Sequence, residues 1–281
     1  MQLLRRRDKA FPPLLGAIHD PPPQLYLRGN GSPATLAEPA VALVGARSCS
    51  SYGRSVARSL GRELAAAGLV VTSGMARGVD GEAHRGALEA GGVTVAVLGC
   101  GIDRDYPAAH ADLARRICER GLVISEYAEG VEPAPWRFPA RNRIIAGLCQ
   151  ATVVVEARER SGALITADFA LEEGRDVLAV PGEITNALSA GTNALLKLGA
   201  TPVTSAEDVL ELFDLVPAKA EPPSVGDTAQ SILDRLGEGA LTADEVVQRT
   251  GIDAASAGAA LIELELVRRI ALEDGVYRLS V

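Results

Sequence analysis

The sequence predicts a doubly wound α/β fold on a mostly parallel sheet, because short apolar runs alternate along it with segments of helical periodicity. The apolar runs show no polar alternation, which indicates strands buried on both faces. The clearest unit spans residues 41–84. Its apolar runs, 41–44 and 69–72, each end in a glycine-rich turn that carries an arginine, and apolar residues recur every four positions from 56 to 64. This pattern predicts a strand, a helix and a second strand.

The same alternation continues along the chain. Further strands are predicted at 94–98, 122–125, 152–156, 176–180 and 201–203. Helices are predicted near 81–90, 110–120, 141–149, 163–173, 191–198 and 205–213. Together these elements define a predicted core domain at residues 41–215. Since ligands of open parallel sheets bind outside the carboxyl ends of the strands, we expect one cleft that receives groups from several strand ends.

A small separate unit is predicted after the core. Residues 216–227 have the composition of a linker, and residues 228–281 have the pattern of three short helices and a hairpin, which is typical of a winged helix. Residues 242–245 form a capping box that opens the second helix. Gly251 and Asp253 are predicted to turn the chain into the third helix. An Asp-Gly pair at 274–275 predicts the turn of the hairpin.

Charge is distributed unevenly along the chain. The net charge is −8, with +3 on residues 1–36, −6 on 37–214 and −5 on 215–281, which argues against a generic basic DNA-coating protein. Residues 1–40 are rich in proline, and we predict an irregular segment that packs on the core. Only three of the 28 basic residues are lysines. Arginine favours forked contacts to phosphate, although a GC-rich genome produces the same bias.

No segment predicts membrane insertion or secretion. No apolar run approaches the ~18–20 residues of a membrane span, and the charged N-terminus is not followed by the apolar core of a signal peptide. The four cysteines lack CxxC spacing, which favours reduced packing thiols over a metal site. We therefore expect a cytoplasmic protein without membrane contact.

The turn after the first core strand has the features of an anion site. Gly45 permits a tight turn, the following amides are predicted to lie at a helix start, and Arg47 adds charge-assisted hydrogen bonds. Ser48 completes this turn. A GxGxxG fingerprint is absent here, which argues against a dehydrogenase. The alternative is an ordinary strand-to-helix turn with a surface arginine.

The turn after the second core strand repeats this arrangement with Gly74, Arg77 and Gly78. Asp80 is a natural N-cap for the following helix, and we favour that structural role over catalysis. His84 lies one turn inside the helix. It is interpreted as a hydrogen-bonded structural histidine rather than a general base, because no partner nucleophile is visible in the sequence.

An arginine-rich and aromatic segment lies between the fourth and fifth core strands. Trp136 and Phe138 flank the first of three arginines, and the other two, Arg141 and Arg143, follow with Asn142 between them. The chain as a whole is only 4% aromatic. Arginines on phosphates beside aromatic faces that stack bases are typical of sequence-tolerant single-strand binding. The alternative is a helix start in which Arg143 pairs with an acidic neighbour and Trp136 lies in a core.

A further anion site is predicted just after the fifth core strand. Ser161 is expected to cap a helix whose free amides face the cleft, with Gly162 and Thr166 in its first turns. The sequence shows no nucleophile–histidine–acid arrangement, no paired catalytic carboxylates and no metal-ligand spacing. The cleft is therefore predicted to hold phosphates without catalysis, cofactor or metal.

These motifs together resemble the DprA/Smf family of bacterial DNA-processing proteins. The resemblance spans residues 11–214 and is carried, in order, by VGAR, SGMARGVDGEAH, TVAVLGCGIDRDYP, GLVISE, FPARNRIIAG, SGALITADFALEEGRDVLAVPG and GTNALLKLGA. It implies an extended Rossmann-like fold that binds single-stranded DNA, protects it during natural transformation and loads RecA onto it. It also implies a homodimer without established enzymatic activity, and single-strand-binding protein is a further candidate partner.

The resemblance assigns roles to individual residues. Arg47 falls on the family's Gly-Ser-Arg position, Arg141 to Arg143 fall on its RNR motif, and Phe138 falls on the preceding phenylalanine. We expect Arg47, Arg141 and Arg143 to hold phosphates, and Phe138 with Trp136 to stack bases. The full set expected at the DNA site is Gly45, Arg47, Ser48, Gly74, Arg77, Gly78, Trp136, Phe138, Arg141, Asn142, Arg143, Ser161, Gly162 and Thr166.

The sequence departs from the family pattern in places. Ala46 replaces the more usual serine, and the helical domain that many members carry ahead of this region does not occur, so the chain is expected to be a short or shortened member. The C-terminal unit resembles the winged helix of many members. The charge of −5 on residues 215–281, which include this unit, makes duplex binding electrostatically unattractive and favours protein contact or positioning of a DNA end.

Two other functions are alternatives to DNA binding. A nucleoside-monophosphate phosphoribohydrolase of the lysine-decarboxylase-like group needs PGGxGTxxE, whereas here Glu183-Ile184-Thr185 follow Pro181-Gly182, so the second glycine and the catalytic glutamate are missing. A purely structural scaffold would show neither DNA binding nor turnover.

Overall fold

The computed structural model describes residues 1–216, 225–267, 269–273 and 275–279. The chain divides into two compact units, Met1–Ala218 and Lys219–Val281. Within the described residues, the larger unit carries a sheet of nine strands in the order β1-β2-β6-β5-β4-β3-β7-β8-β9. Its strands are β1 (Gln2–Arg5), β2 (Gln24–Arg28), β3 (Ala40–Val44), β4 (Val70–Ser73), β5 (Thr94–Leu98), β6 (Leu122–Ser125), β7 (Ala151–Val154), β8 (Asp176–Ala179) and β9 (Thr201–Pro202). All neighbours from β6 to β9 pair in parallel.

Helices cover both faces of this sheet. They are α1 (Pro13–Gly16), α2 (Ser51–Ala66), α3 (Val79–Glu89), α4 (Ala111–Arg120), α5 (Arg137–Leu148), α6 (Gly162–Glu172), α7 (Ala190–Lys197) and α8 (Glu207–Leu210). In β3, Val41 and Leu43 pack with α2 and α3, whereas Ala42 and Val44 pack with α5 and α6 on the opposite face. This arrangement confirms the predicted doubly wound, mostly parallel α/β fold and explains why its strands lack polar alternation.

The N-terminal segment packs on the core as predicted, but it is not irregular, and that part of the prediction was wrong. β1 and β2 pair antiparallel with each other, and β2 pairs antiparallel with β6. Leu25 and Leu27 of β2 alternate with partly exposed residues and are buried in the core. The five-residue strand β2 has proline-rich flanks, which are typical of a loop. Its partner β6 lies about a hundred residues further along the chain, so no local sequence pattern indicates the pairing.

The C-terminal unit has the predicted winged-helix elements, namely α9 (Asp227–Leu236), α10 (Ala243–Thr250), α11 (Ala254–Leu266), β10 (Ile270–Glu273) and β11 (Val276–Leu279). The capping box is confirmed, because the side chains and main chains of Thr242 and Glu245 bond reciprocally. Gly251 ends α10 in the left-handed conformation and Asp253 caps α11. β10 and β11 pair antiparallel as the hairpin. Most of the predicted linker, 217–224, and residue 274 of the hairpin turn lie outside the described residues.

Among the described residues, none of the helices has the length and apolar character needed to cross a bilayer.

Candidate nucleic-acid interface

Two adjoining cavities open at the carboxyl ends of the central strands. The first has a volume of about 360 Å³ and the second of about 550 Å³, both within the range of about 300–1,000 Å³ typical of ligand sites. The residues that line both cavities are Arg47, Ser48, Ala76, Phe138 and Arg141. The cleft expected from the sheet topology is therefore present, and it consists of two compartments with a shared wall.

Arg47 and Phe138 form this shared wall. The exposed guanidinium of Arg47 lies over the ring of Phe138, with 5.3 Å between its central carbon and the ring centroid. In the second cavity, Tyr106 stacks on Phe138 with centroids 5.3 Å apart and an angle of 25° between the rings. Tyr106 is 40% exposed, so part of the aromatic surface remains open. The sequence prediction missed Tyr106, although an aromatic residue shortly after a strand end was a usable signal.

The first cavity is lined on one side by the β7–α6 turn. Ser161 caps α6 as predicted, since its hydroxyl accepts a hydrogen bond from the Ala163 amide at 3.3 Å. Gly162 and Thr166 line the cavity beside it. Arg158 and Arg160 also line it and are exposed. The site predicted from the sequence included neither of them, although two arginines directly before a helix cap at a strand end are a recognisable signal for anion binding.

The β3–α2 corner differs from the prediction. α2 begins at Ser51, after Ser50, whose hydroxyl accepts a hydrogen bond from the Gly53 amide. The carboxylate of Glu156 occupies this helix start: it accepts hydrogen bonds from the Ser50 amide at 2.9 Å and from the Ser50 hydroxyl at 2.5 Å. The predicted anion site at this helix is therefore filled by a side chain of the protein. Gly45 and Ser48 line the first cavity ahead of it.

The β4–α3 corner packs main chain against main chain with the Arg47 turn. Gly78 has φ +76°, and a Cβ atom there would collide with the carbonyl oxygens of Ala46 and Arg47. Met75 is also left-handed, with φ 62°. Its carbonyl accepts a hydrogen bond from Nδ1 of His110 at 3.0 Å. Gly74 and Arg77 from this turn line the second cavity, whereas Gly78 serves the close approach of the two turns.

Two predictions on α3 have different outcomes. Asp80 is not the N-cap, because Gly78 takes that position and Asp80 lies in the first turn, where its carboxylate accepts a hydrogen bond from the Ala76 amide at 3.2 Å. Burial raises the pKa of Asp80, while Arg141 acts in the opposite direction. The structural interpretation of His84 is confirmed. It is buried, and its Nδ1 lies 2.7 Å from Oγ1 of Thr94.

The side chain of Arg141 is buried and bonded to main-chain carbonyls, so it supports the site and is not exposed to a phosphate. It is 5% exposed, and its Nη1 donates hydrogen bonds to the carbonyls of Gly74, at 2.7 Å, and Val97. Burial lowers the pKa of Arg141 to about 10. Its Nε donates to Oδ1 of Asn142, whose amide donates to the carbonyl of Gly162. Arg141 and Asn142 thus connect the ends of β4 and β5 with the start of α6.

Arg143 lies outside both cavities. Its Nη2 donates to both carboxylate oxygens of Glu126, at 2.8 and 2.9 Å, and its Nε donates to Asp20 at 2.9 Å. The ion-paired alternative describes this arrangement, so the expectation of a phosphate held by Arg143 does not fit the structure. Trp136 is 63% exposed beneath the guanidinium of Arg137. Its alternative placement in a core was wrong, but it does not line either cavity.

Comparison with known proteins assigns both units. The family model described as DNA recombination-mediator protein A matches residues 2–214, and the model of the DprA winged helix domain matches residues 216–275. The chain belongs to the DprA/Smf family. The resemblance seen in its motifs is thereby confirmed.

Relatives of this DprA/Smf chain come from different bacteria. It is 46% identical to DNA processing protein DprA of Streptococcus pneumoniae over 211 residues, which cover 74% of this chain and 72% of the relative. It is 40% identical to protein Smf of Escherichia coli over 287 residues, covering 98% and 76% of the two chains.

Solved structures of the family superpose on the larger part of this chain. The X-ray structure of S. pneumoniae DprA has a TM-score of 0.72 at 45% identity and covers 75% of this chain and 73% of its own. A Helicobacter pylori DprA structure, described as giving insights into the single-stranded DNA binding mode of that protein, has a TM-score of 0.67 at 30% identity. It covers 76% of this chain and 97% of its own. These matches support the extended Rossmann-like description of the fold.

Proposed function

We propose that this protein binds single-stranded DNA with little sequence preference, protects it and helps to load RecA onto it during natural transformation. The observation that carries the proposal is the cleft itself, where exposed arginines adjoin an open aromatic pair. Membership of a family of recombination mediators, and the single-stranded DNA binding described for the H. pylori relative, support the same conclusion.

Phosphates bind to the exposed arginines at the cavities, which are Arg47, Arg77, Arg158 and Arg160. Within the residues that the structure describes, none of these guanidiniums takes part in an ion pair, so their charge is available to a ligand. A guanidinium offers forked donors that match phosphate oxygens. Arg141 and Asn142 support this surface from below, which revises the direct phosphate role expected for Arg141.

Bases stack on the aromatic surface of Phe138 and Tyr106 in the second cavity. Every base has a π-face, so stacking discriminates weakly among sequences. Because the arginines contact the DNA backbone, the resulting sequence preference is small. The exposed hydroxyl of Ser48 adds a donor at both cavities.

We further propose that the protein catalyses no reaction and that it is a homodimer in the cytoplasm. The missing second glycine and glutamate after Pro181 disfavour the phosphoribohydrolase alternative, and incubation with AMP tests it by the absence of free adenine. The thiols of Cys49, Cys100, Cys118 and Cys149 are free, as is usual in a reducing compartment. RecA, with single-strand-binding protein as a further candidate, is the proposed partner.

Fluorescence anisotropy with matched single-stranded and duplex oligonucleotides across a salt series tests the function. We expect tighter binding to the single strand, with log affinity falling linearly with log salt by about 0.7 for each phosphate neutralised. Equal affinity for duplex, or affinity that is independent of salt, would contradict the proposal.

A further inference from the structure

Glu156 is a buried carboxylate placed where a βαβ unit ordinarily receives a ligand phosphate. It follows β7, is 1% exposed, and its two oxygens accept hydrogen bonds from the amide and hydroxyl of Ser50 at the start of α2. A Cβ atom at Gly53, in the first turn of α2, would collide with this carboxylate. Glycine at this position therefore makes room for an anion that belongs to the protein.

The same glutamate also fixes the turn that carries Arg47. Its main-chain carbonyl accepts a hydrogen bond from the Ala46 amide at 2.7 Å, while its carboxylate holds Ser50. The exposed residues Arg47 and Ser48 lie between Ala46 and Ser50 in the chain, and both of these flanking residues are hydrogen-bonded to Glu156. Main-chain and side-chain contacts of one residue thus set the course of the whole turn.

We propose that Glu156 is a positioning and specificity-determining residue that substitutes for a ligand phosphate at the N-terminus of α2. By filling this helix start, it denies the position to the phosphate of a mononucleotide or dinucleotide. By fixing the turn, it presents Arg47 to the first cavity, where DNA phosphates meet Arg158, Arg160 and the start of α6. The inference rests on the proposed binding of single-stranded DNA.

Charge and position predict opposite effects of removing this carboxylate. Loss of a negative charge near a phosphate site should by itself strengthen DNA binding. Loss of the side-chain anchor at Ser50 should weaken it, because the turn that carries Arg47 is then held to Glu156 only by the main-chain hydrogen bond from Ala46. Glu159 provides the matched control, since it is exposed on the same β7–α6 turn and its replacement removes the same charge.

The first experiment measures single-stranded DNA affinity of the full chain carrying Glu156→Gln or Glu159→Gln across a salt series. We expect at least fivefold weaker binding for Glu156→Gln, with the slope of log affinity against log salt reduced by about 0.7 for one lost phosphate contact. Glu159→Gln should bind as tightly as the natural chain or more tightly. Affinity of Glu156→Gln at or above that of the natural chain overturns the proposal.

The second experiment is independent of DNA. Glu156→Ala deletes a CH₂–COO⁻ fragment that acetate matches, so acetate should raise the thermal midpoint of this variant above that in chloride at equal ionic strength. The natural chain and Glu159→Gln should show no such difference. Acetate should also restore part of the DNA affinity of Glu156→Ala. An equal response to acetate and chloride overturns the assignment of an internal anion, including when Glu156→Gln is too unstable for binding measurements.

The two arms separate this inference from the proposed function. If the natural chain does not bind single-stranded DNA, the proposed function fails while the acetate response still decides whether Glu156 acts as a replaceable anion. If the natural chain binds and Glu156→Gln binds equally, the function stands and the positioning role fails.

Discussion

The guanidinium of Arg47 lies over the ring of Phe138, 5.3 Å from its centroid, at the boundary between two cavities of different chemistry. Exposed arginines and the start of α6 line the first cavity, and the aromatic pair of Phe138 and Tyr106 lies in the second. A cation held against an aromatic ring keeps its hydrogen-bond donors free at its edge. One phosphate and the base beside it can therefore be bound on the two sides of this pair.

Replacing Arg47 tests the cationic side of the boundary. We expect Arg47→Ala to weaken single-strand binding at least tenfold, or roughly 1.4 kcal/mol, at fixed salt. Arg115→Ala is the control, because it removes the same charge from a side chain on α4 that is 66% exposed and lines neither cavity. Mobility-shift assays measure the affinities, and an unchanged affinity in folded Arg47→Ala removes Arg47 from the site.

Tyr106 tests the aromatic side. Base–aromatic stacking contributes about 1–3 kcal/mol per base, so Tyr106→Ala should weaken binding roughly 5- to 150-fold. Tyr106→Phe keeps the ring and should retain most of the affinity. With an oligonucleotide that lacks bases, Tyr106→Ala and the natural chain should have the same affinity in anisotropy measurements. A loss of equal size in Tyr106→Phe would mean that the hydroxyl, and not the ring, is responsible.

Arg143 should affect stability more than DNA binding. It is 12% exposed and makes charged hydrogen bonds to Glu126 and Asp20. Hydrogen bonds to charged groups contribute about 1.5–3 kcal/mol, so Arg143→Ala should lower the free energy of unfolding by about that amount. Glu126→Gln should lower it in the same direction, and the double variant should lose less than the sum. Urea denaturation measures these effects, and a tenfold loss of DNA affinity at unchanged stability would restore Arg143 to the phosphate site.

The sequence alone predicted the core of the fold, because local patterns determine it. Unbroken apolar runs such as 41–44 mark strands covered on both faces, and the serine at 161 marks a helix start. β2 was missed for the opposite reason. Its five residues resemble a proline-flanked loop until they pair with β6, and no local signal carries that long-range pairing.

The site could be predicted only in part, for the same reason. Arg47 follows a strand end, so sheet topology places it at the cleft. Arg143 looks equivalent in sequence, but Asp20, 123 residues away, engages its guanidinium. Glu156 lies 106 residues from Ser50, whose amide it binds. Which charged groups face a ligand depends on such distant partners, and composition or spacing does not reveal them.

His84 makes the folded state sensitive to mild acid. Its Nδ1 donates to Thr94, because the Thr94 hydroxyl already donates to the carbonyl of Val71 at 2.6 Å. Burial lowers the pKa of His84 to about 3, and the charges of His110, Arg85 and Arg141 act in the same direction. Between pH 3 and the ordinary value of 6.5 the unfolded chain binds a proton at this residue and the folded chain does not. The free energy of unfolding should therefore fall as the pH drops below about 6.5, by up to ~1.4 kcal/mol per pH unit from this residue.

Replacing His84 with a side chain that does not titrate isolates this contribution. His84→Gln should lower stability at neutral pH, since the fit to Thr94 changes, but its unfolding free energy should fall less steeply between pH 6.5 and 4.5. Urea titrations of both proteins at a series of pH values give the two slopes, and their difference should approach one proton. Equal slopes would show that His84 takes up its proton in the folded state as readily as in the unfolded one, against the burial that the structure gives it.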